Sequence, residues 1–220
     1  MFKGGGSMIV HTTGACSRII RLLLLKVCLP VVFIVLMLPS VVYAAADEKG
    51  AGERRFVNEI GIGFGHNTGS QNYGYDNISV FPLFARVGIS LNHLVGLTGK
   101  KSTLQLAVEP FFNAIDGSQK GEEVGCGIGL RYFHGVSGAM DLFIDAQAAP
   151  MFLSINTFRQ GAAGFNFLDQ FGAGVQYRCS SRTAVFTGYR FRHISHAGLV
   201  ERPNAGINSH VIVAGVSLLY

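Results

Sequence analysis

His193 and Ser195 stand two residues apart in the segment GYRFRHISHAGLVERPNAGIN, residues 188–208. An imidazole and a hydroxyl can serve as general base and nucleophile if both leave the backbone in one direction. On a β-strand they do, because side chains alternate faces with a period of two. Arg190 and Arg192 precede them on the other parity. In the wall of a membrane barrel a guanidinium group does not face lipid, so the arginines are expected inward and His193 and Ser195 outward. Asn208 opens the next alternating run, on the parity of Ile212, Ala214, Val216, Leu218 and Tyr220. A hairpin between the two runs brings Asn208 beside His193 and Ser195. That patch would hold a nucleophile, a base and a carboxamide able to orient the base. Taken alone, a His-x-Ser pair at a strand end marks only a polar rim, and an Asn-x-Gly step or Gly198 reads as loop chemistry.

The elements that must position these residues are legible along the whole chain. Period-2 alternation recurs in runs of about ten residues separated by polar or Gly-rich breaks, the pattern of a transmembrane β-barrel. Eight strands are predicted, over 55–66, 78–91, 103–113, 123–133, 140–153, 165–178, 183–195 and 208–220. The fold class is therefore all-β, an eight-stranded antiparallel transmembrane barrel. Lipid cannot satisfy backbone N–H and C=O groups, so a sheet in a membrane must close on itself. Glu59, Arg86, Glu109, Arg131, Asp141, Asp145 and Arg190 fall on the inner parity, among many glycines. Asp169 breaks the rule by sharing parity with Phe167 and Phe171; a bulge near the rim would account for it. A soluble sandwich or lipocalin-like barrel would alternate equally well with its charged face outward. The aromatic content, the glycine-rich opposite face and the aromatic last residue Tyr220 favour the membrane form. Breaks near 92–102, 134–139 and 178–182 are expected as periplasmic turns. Those near 67–77, 114–122, 154–164 and 196–207 are expected as outer loops.

The first 46 residues read as an export signal. They hold Lys3, Arg18, Arg21 and Lys26, no acidic residue, the apolar run Val27–Leu38 and the step Ala44-Ala45-Ala46. Basic region, short apolar region and small-residue site are the three parts of a secretory leader. The division expected is a signal peptide over 1–46 and a barrel domain over 47–220. Of 18 Lys+Arg, four lie in the leader, so 14 basic residues face 13 acidic ones in the barrel. No basic cluster remains there, which excludes nucleic acid as a partner. Cys126 and Cys179 would mature in an oxidising compartment where a disulfide is permitted, although both positions also suit simple packing in or beside strands. His66, His93, His134 and His210 have no metal-ligand spacing.

The C-terminal third carries a specific likeness. His193-Ile194-Ser195-His196-Ala197-Gly198, followed by Asn204-Ala205-Gly206-Ile207-Asn208, resembles the signature of the lipid A 3-O-deacylase (PagL) family. That signature runs His-x-Ser-Asn-Ala-Gly, a short loop, then Asn-x-Gly and a strand. Asn166-Phe167, Gly172-Ala173-Gly174 and Tyr189-Arg190 also look like the family's late strands. The likeness is sharp over about 165–220 and only architectural before that. It implies an eight-stranded barrel of the bacterial outer membrane that hydrolyses the ester-linked acyl chain at the 3-position of lipid A. It further implies Ser195 as nucleophile and His193 as general base. Asn204, with backbone N–H groups near Gly198, would supply the oxyanion donors. Two positions depart from the pattern. The residue after the serine is His196 where the family has Asn, and Asn208 stands where an acid would orient the histidine. Asparagine can hold an imidazole tautomer but cannot neutralise an imidazolium, and Glu201 in the loop is a rival for the orienting role. The implied partners are lipid A or lipopolysaccharide as substrate and the surrounding outer-membrane lipids, with the protein a monomer or homodimer. No metal or organic cofactor is required. The competing class is a non-catalytic structural or adhesive outer-membrane barrel that keeps the motif only as loop architecture.

Overall fold

Strands with one apolar and one polar face satisfy all their backbone groups only by closing into a ring. The computed structural model describes residues 57–67, 78–97 and 101–220, and there eight antiparallel strands do so. They are β1 (Val57–Asn67), β2 (Ile78–Ser90), β3 (Ser102–Gly117), β4 (Gly121–Gly135), β5 (Met140–Leu153), β6 (Gly164–Arg178), β7 (Thr183–Ser195) and β8 (Ile207–Leu219). Each pairs with the next, and β1 pairs with β8. The leader assigned to 1–46 and most of the first outer loop lie outside the described residues.

Polarity separates the two kinds of barrel that alternation alone left open. Among the described residues, four acids (Glu59, Glu109, Glu123, Asp145) and four arginines (Arg86, Arg131, Arg190, Arg192) are buried. Glu109 accepts hydrogen bonds from Arg86 at 2.7 and 2.9 Å and from Arg190 at 2.5 and 3.0 Å. Glu59 accepts from Arg131 at 3.1 Å and from Ser217 at 2.7 Å, and Arg192 pairs with Glu123. Charges this deep are tolerable because each is paired and hydrogen-bonded. Asp141, at the edge of the lumen, pairs with Arg178 at 2.9 Å. Phenylalanine rings fill the space between these groups, with the Arg131 guanidinium 3.9 Å from the Phe143 ring centre. The inner glycines make room for the rings: a Cβ on Gly174 or Gly215 would come within 2.5 Å of Phe143 or Phe186. On the outer face, Ile62, Phe64, Leu130, Ile144, Phe171 and Val216 are exposed. An apolar belt outside and a charged interior are what lipid-facing strands require and the reverse of a soluble sandwich or lipocalin-like barrel.

Two expectations need correction in detail. The break expected over 114–122 shrinks to 118–120, because alternation continues through inward Asn113 and Ile115. Asn113 is satisfied there by Glu123 at 2.7 Å, so its polarity does not end the strand. Secondly, β6 has no bulge. Asp169 pairs with Ala148 on one side and His193 on the other in unbroken register, and it faces outward with Phe167 and Phe171. A register shift lies instead in β1, between Val57 and Glu59. Of the two readings of Cys126 and Cys179, no disulfide joins them among the described residues.

Candidate functional site

The register of β6, β7 and β8 assembles the site. Arg190 and Arg192 are buried and face the lumen, so alternation turns His193 and Ser195 outward. Asn208 is directly opposite His193 on β8, and Phe167 is opposite Ser195 on β6. All of this lies at the barrel end away from Val57 and Leu219. His193 Nδ1 is 2.6 Å from Asn208 Oδ1. A carboxamide oxygen only accepts, so Nδ1 carries the proton and Nε2 presents its lone pair. Ser195 closes β7 on the same face, half-buried. Its hydroxyl makes no hydrogen bond to His193 among the described residues, and their backbones are two strand residues apart. Hydrogen bonds of unliganded active sites commonly tighten only around substrate.

The chain turns immediately after Ser195. Ala197 (φ 51°) and Gly198 (φ 74°) both have positive φ, and the Leu199 N–H donates to the His196 carbonyl at 2.9 Å. Two consecutive positive-φ residues make the tight reversal, and glycine is the residue that adopts this conformation without a Cβ penalty. His196 folds inward and is buried. Its Nε2 lies 3.2 Å from the carbonyls of Arg202 and Pro203, so its ring holds the loop together. The His196 backbone N–H donates to Asn204 Oδ1 at 3.0 Å, which fixes the Asn204 carboxamide and leaves its amide hydrogens to other acceptors. Glu201 is exposed and makes no hydrogen bond or ion pair with a described residue. The group in contact with the imidazole is Asn208.

Other parts of the site gave little signal in sequence. Gly206 (φ 72°) packs on the imidazole so tightly that a Cβ there would be 2.7 Å from His193 Cε1. The outer loop over 154–163 braces the 196–206 loop. Arg159 Nη1 donates to the carbonyls of Ala205 and Gly206 at 3.2 and 3.1 Å, and the Ala205 N–H donates to the Arg159 carbonyl at 2.9 Å. Arg202 reaches back to the carbonyls of Ala162 and Phe165, and partial burial there pulls its pKa below the ordinary value. One turn of alternation further along the wall, His210 Nδ1 bonds the Tyr189 hydroxyl at 2.5 Å on the outer face. The motif Asn-x-Gly hinted at Gly206, but nothing in the sequence linked Arg159 to this loop.

Comparison with known proteins bears on the family and on the fold. A family profile described as lipid A 3-O-deacylase (PagL) matches residues 85–217. Among solved structures, the chain is similar to the outer membrane enzyme PagL, at 19% identity and a TM-score of 0.54, over 71% of this chain and 97% of that one. Neisserial surface protein A is 14% identical with a TM-score of 0.49, over 74% of this chain and 96% of its own. The attachment invasion locus protein Ail of Yersinia pestis is 11% identical with a TM-score of 0.42, over 76% of this chain and all of its own. A search of the curated proteins finds no match. At these identities the solved structures speak to the fold alone. The profile match spans more than half of the chain and includes the whole His193–Asn208 hairpin, and on that ground this protein belongs to the lipid A 3-O-deacylase (PagL) family.

Proposed function

We propose that the protein is a serine esterase of the bacterial outer membrane that removes the 3-O-linked acyl chain of lipid A. The observation that carries the reading is an outward imidazole held by Asn208 at 2.6 Å, with Ser195 next on the same face of the wall. A leader over 1–46 would deliver the barrel to that membrane, and the apolar outer belt would seat it among lipids. Lipid A in the outer leaflet then lies beside the free end of β7.

Chemistry follows from the positions. Ser195 Oγ attacks the ester carbonyl while His193 Nε2 takes its proton. The tetrahedral oxyanion accepts from the Asn204 side-chain amide and from backbone N–H groups of the Gly198 turn. Collapse breaks the ester C–O bond, and His193 returns the proton to the departing sugar hydroxyl. A water, deprotonated by His193, then attacks the acyl-serine carbonyl and releases the fatty acid, restoring Ser195. Asn208 keeps the tautomer correct through both halves. His196 takes the place of the family's asparagine by bracing the loop rather than by donating its side chain to the oxyanion. The substrate supplies the ester and the solvent the water, so no cofactor enters.

The test is mass spectrometry of lipid A from cells making the protein or its Ser195→Ala variant. The variant should reach the membrane, show the same heat-modifiable mobility and leave the 3-linked chain in place. Continued release of that chain by the variant would sink the serine mechanism, and no release by the parent protein would leave a structural or adhesive barrel.

A further inference from the structure

His193 has a second neighbour that the mechanism above does not use. Asp169 on β6 is the direct cross-strand partner of His193, as Asn208 is on the other side. Side chains directly opposite in an antiparallel pair have Cβ atoms about 5 Å apart. Asp169 is exposed on the outer face, flanked along its strand by Phe167 and Phe171 and across β5 by Ala148. None of these offers a carboxylate a hydrogen bond or a charge. On the β7 side the facing groups are His193 and, diagonally, Ser195 and Phe191. A carboxylate on an apolar barrel wall is costly, and an ionisable group in such a place marks function by default. Its own surroundings give it no structural role, since it makes no hydrogen bond or ion pair with a described residue.

The chemistry of the base leaves a role open. When His193 takes the serine proton it becomes an imidazolium. Asn208 occupies Nδ1 but is neutral, so it orients the ring without compensating the charge. We infer that Asp169 supplies that compensation, acting through space from β6 as the electrostatic and positioning partner of His193. The division is between one strand that fixes the tautomer and another that carries the charge. This inference rests on the esterase reading given above.

Of the other charged groups around the ring, all but Glu201 are already engaged or face the lumen. Arg190 and Arg192 on β7 face the lumen and are paired there. On β8, His210 is bonded to Tyr189. In the 196–206 loop, His196 and Arg202 are bound to backbone carbonyls, and Glu201 is exposed in the loop. Arg159 approaches from the 154–163 loop on the carbonyls of Ala205 and Gly206, which adds positive charge near the ring and makes a negative neighbour more valuable.

The test is kcat and KM for deacylation of lipid A in detergent micelles by the full-length protein. A charge that matters only once the imidazolium forms is a transition-state interaction, so Asp169→Asn should lower kcat roughly tenfold and leave KM near the parent value. Asp169→Glu keeps the charge and should keep most of the rate. Asn208→Asp should restore most of the rate in the Asp169→Asn background, while changing the parent enzyme less. If the asparagine variant does not assemble, Asp169→Ser carries the same comparison. An unchanged kcat in an assembled Asp169→Asn barrel, or equal changes from Asn208→Asp in both backgrounds, overturns the inference. Ser195→Ala separates the two levels: its inactivity with an unchanged Asp169→Asn kcat rejects only the role of Asp169, and its activity rejects the serine esterase itself.

Discussion

An imidazole at a strand end does useful work only if its ring stays in one orientation, and here a hydrogen bond and a glycine share that task. Asn208 fixes Nδ1 at 2.6 Å, while Gly206 lies against Cε1 where any larger residue would collide. Gly206→Ala would meet two penalties. Its φ of 72° is strained for a residue with a Cβ by about 1–2 kcal/mol, and the new methyl would push the ring off Asn208. A displacement of about 1 Å in a reacting group can lower turnover by about a hundredfold. Gly206→Ala should thus reduce kcat far more than it raises KM, with heat-modifiable mobility unchanged. Steady-state deacylation kinetics in micelles check the split.

At the scale of elements, the hairpin β7–β8 carries the reactive groups, but its loop is not self-supporting. It is anchored inward by His196 and sideways by Arg159 and Arg202, both of which bond to backbone carbonyls across the gap between two loops. Hydrogen bonds from a charged donor are worth about 1.5–3 kcal/mol each when buried and less when solvent shares them. Arg159→Ala should therefore loosen the Asn204–Gly206 segment without unfolding the barrel. The expected outcome is a lower kcat together with a higher KM, the pattern of a loop that no longer closes correctly, and faster hydrogen exchange confined to 196–206. A drop in barrel stability of the same size as the activity loss would contradict it. The strands themselves are governed by a simpler rule. A one-residue slip of β7 would exchange Arg192 for His193 on the lipid side, and the cost of exposing that arginine holds the register.

For the whole molecule, the interior sets a buried cluster of charges, threaded by phenylalanine rings, beside a buried apolar cluster that includes Val80, Met151, Leu153, Leu168, Ile194 and Ile207. Glu109 lies at the centre of the charges, joined to Arg86 and Arg190, and through Arg190 to Asp145 at 3.3 Å. Removing one partner of a buried set leaves uncompensated charge, a penalty of about 3–5 kcal/mol. Glu109→Gln keeps the shape but removes the shared carboxylate, leaving Arg190 with Asp145 at 3.3 Å and Arg86 with Glu59 at 3.8 Å. It should destabilise the barrel by that order in urea-induced unfolding from detergent or liposomes. Its deacylase activity at low denaturant should be retained, because the lumen and the outer patch are on opposite sides of the wall. Loss of activity without loss of stability would instead tie the lumen charges to the site.

The sequence by itself determined the strand count, nearly every strand boundary and the outward parity of His193, Ser195 and Asn208. These follow from the period-2 pattern, a local property that each run carries on its own. Motif identity added the family. What the chain could not declare were the relations between distant segments. Whether the charged face pointed in or out depended on closure of the sheet, since alternation is the same in both cases. The choice of Asn208 over Glu201 as the group touching the imidazole depended on cross-strand register, and the grip of Arg159 on Gly206 depended on two loops meeting at one rim. Asp169 shows the limit best: its parity was visible, and a bulge was the local way to explain it. Only the pairing of β6 with β7 set that carboxylate opposite His193, because a strand's neighbours are chosen by the ring as a whole and not by its own residues.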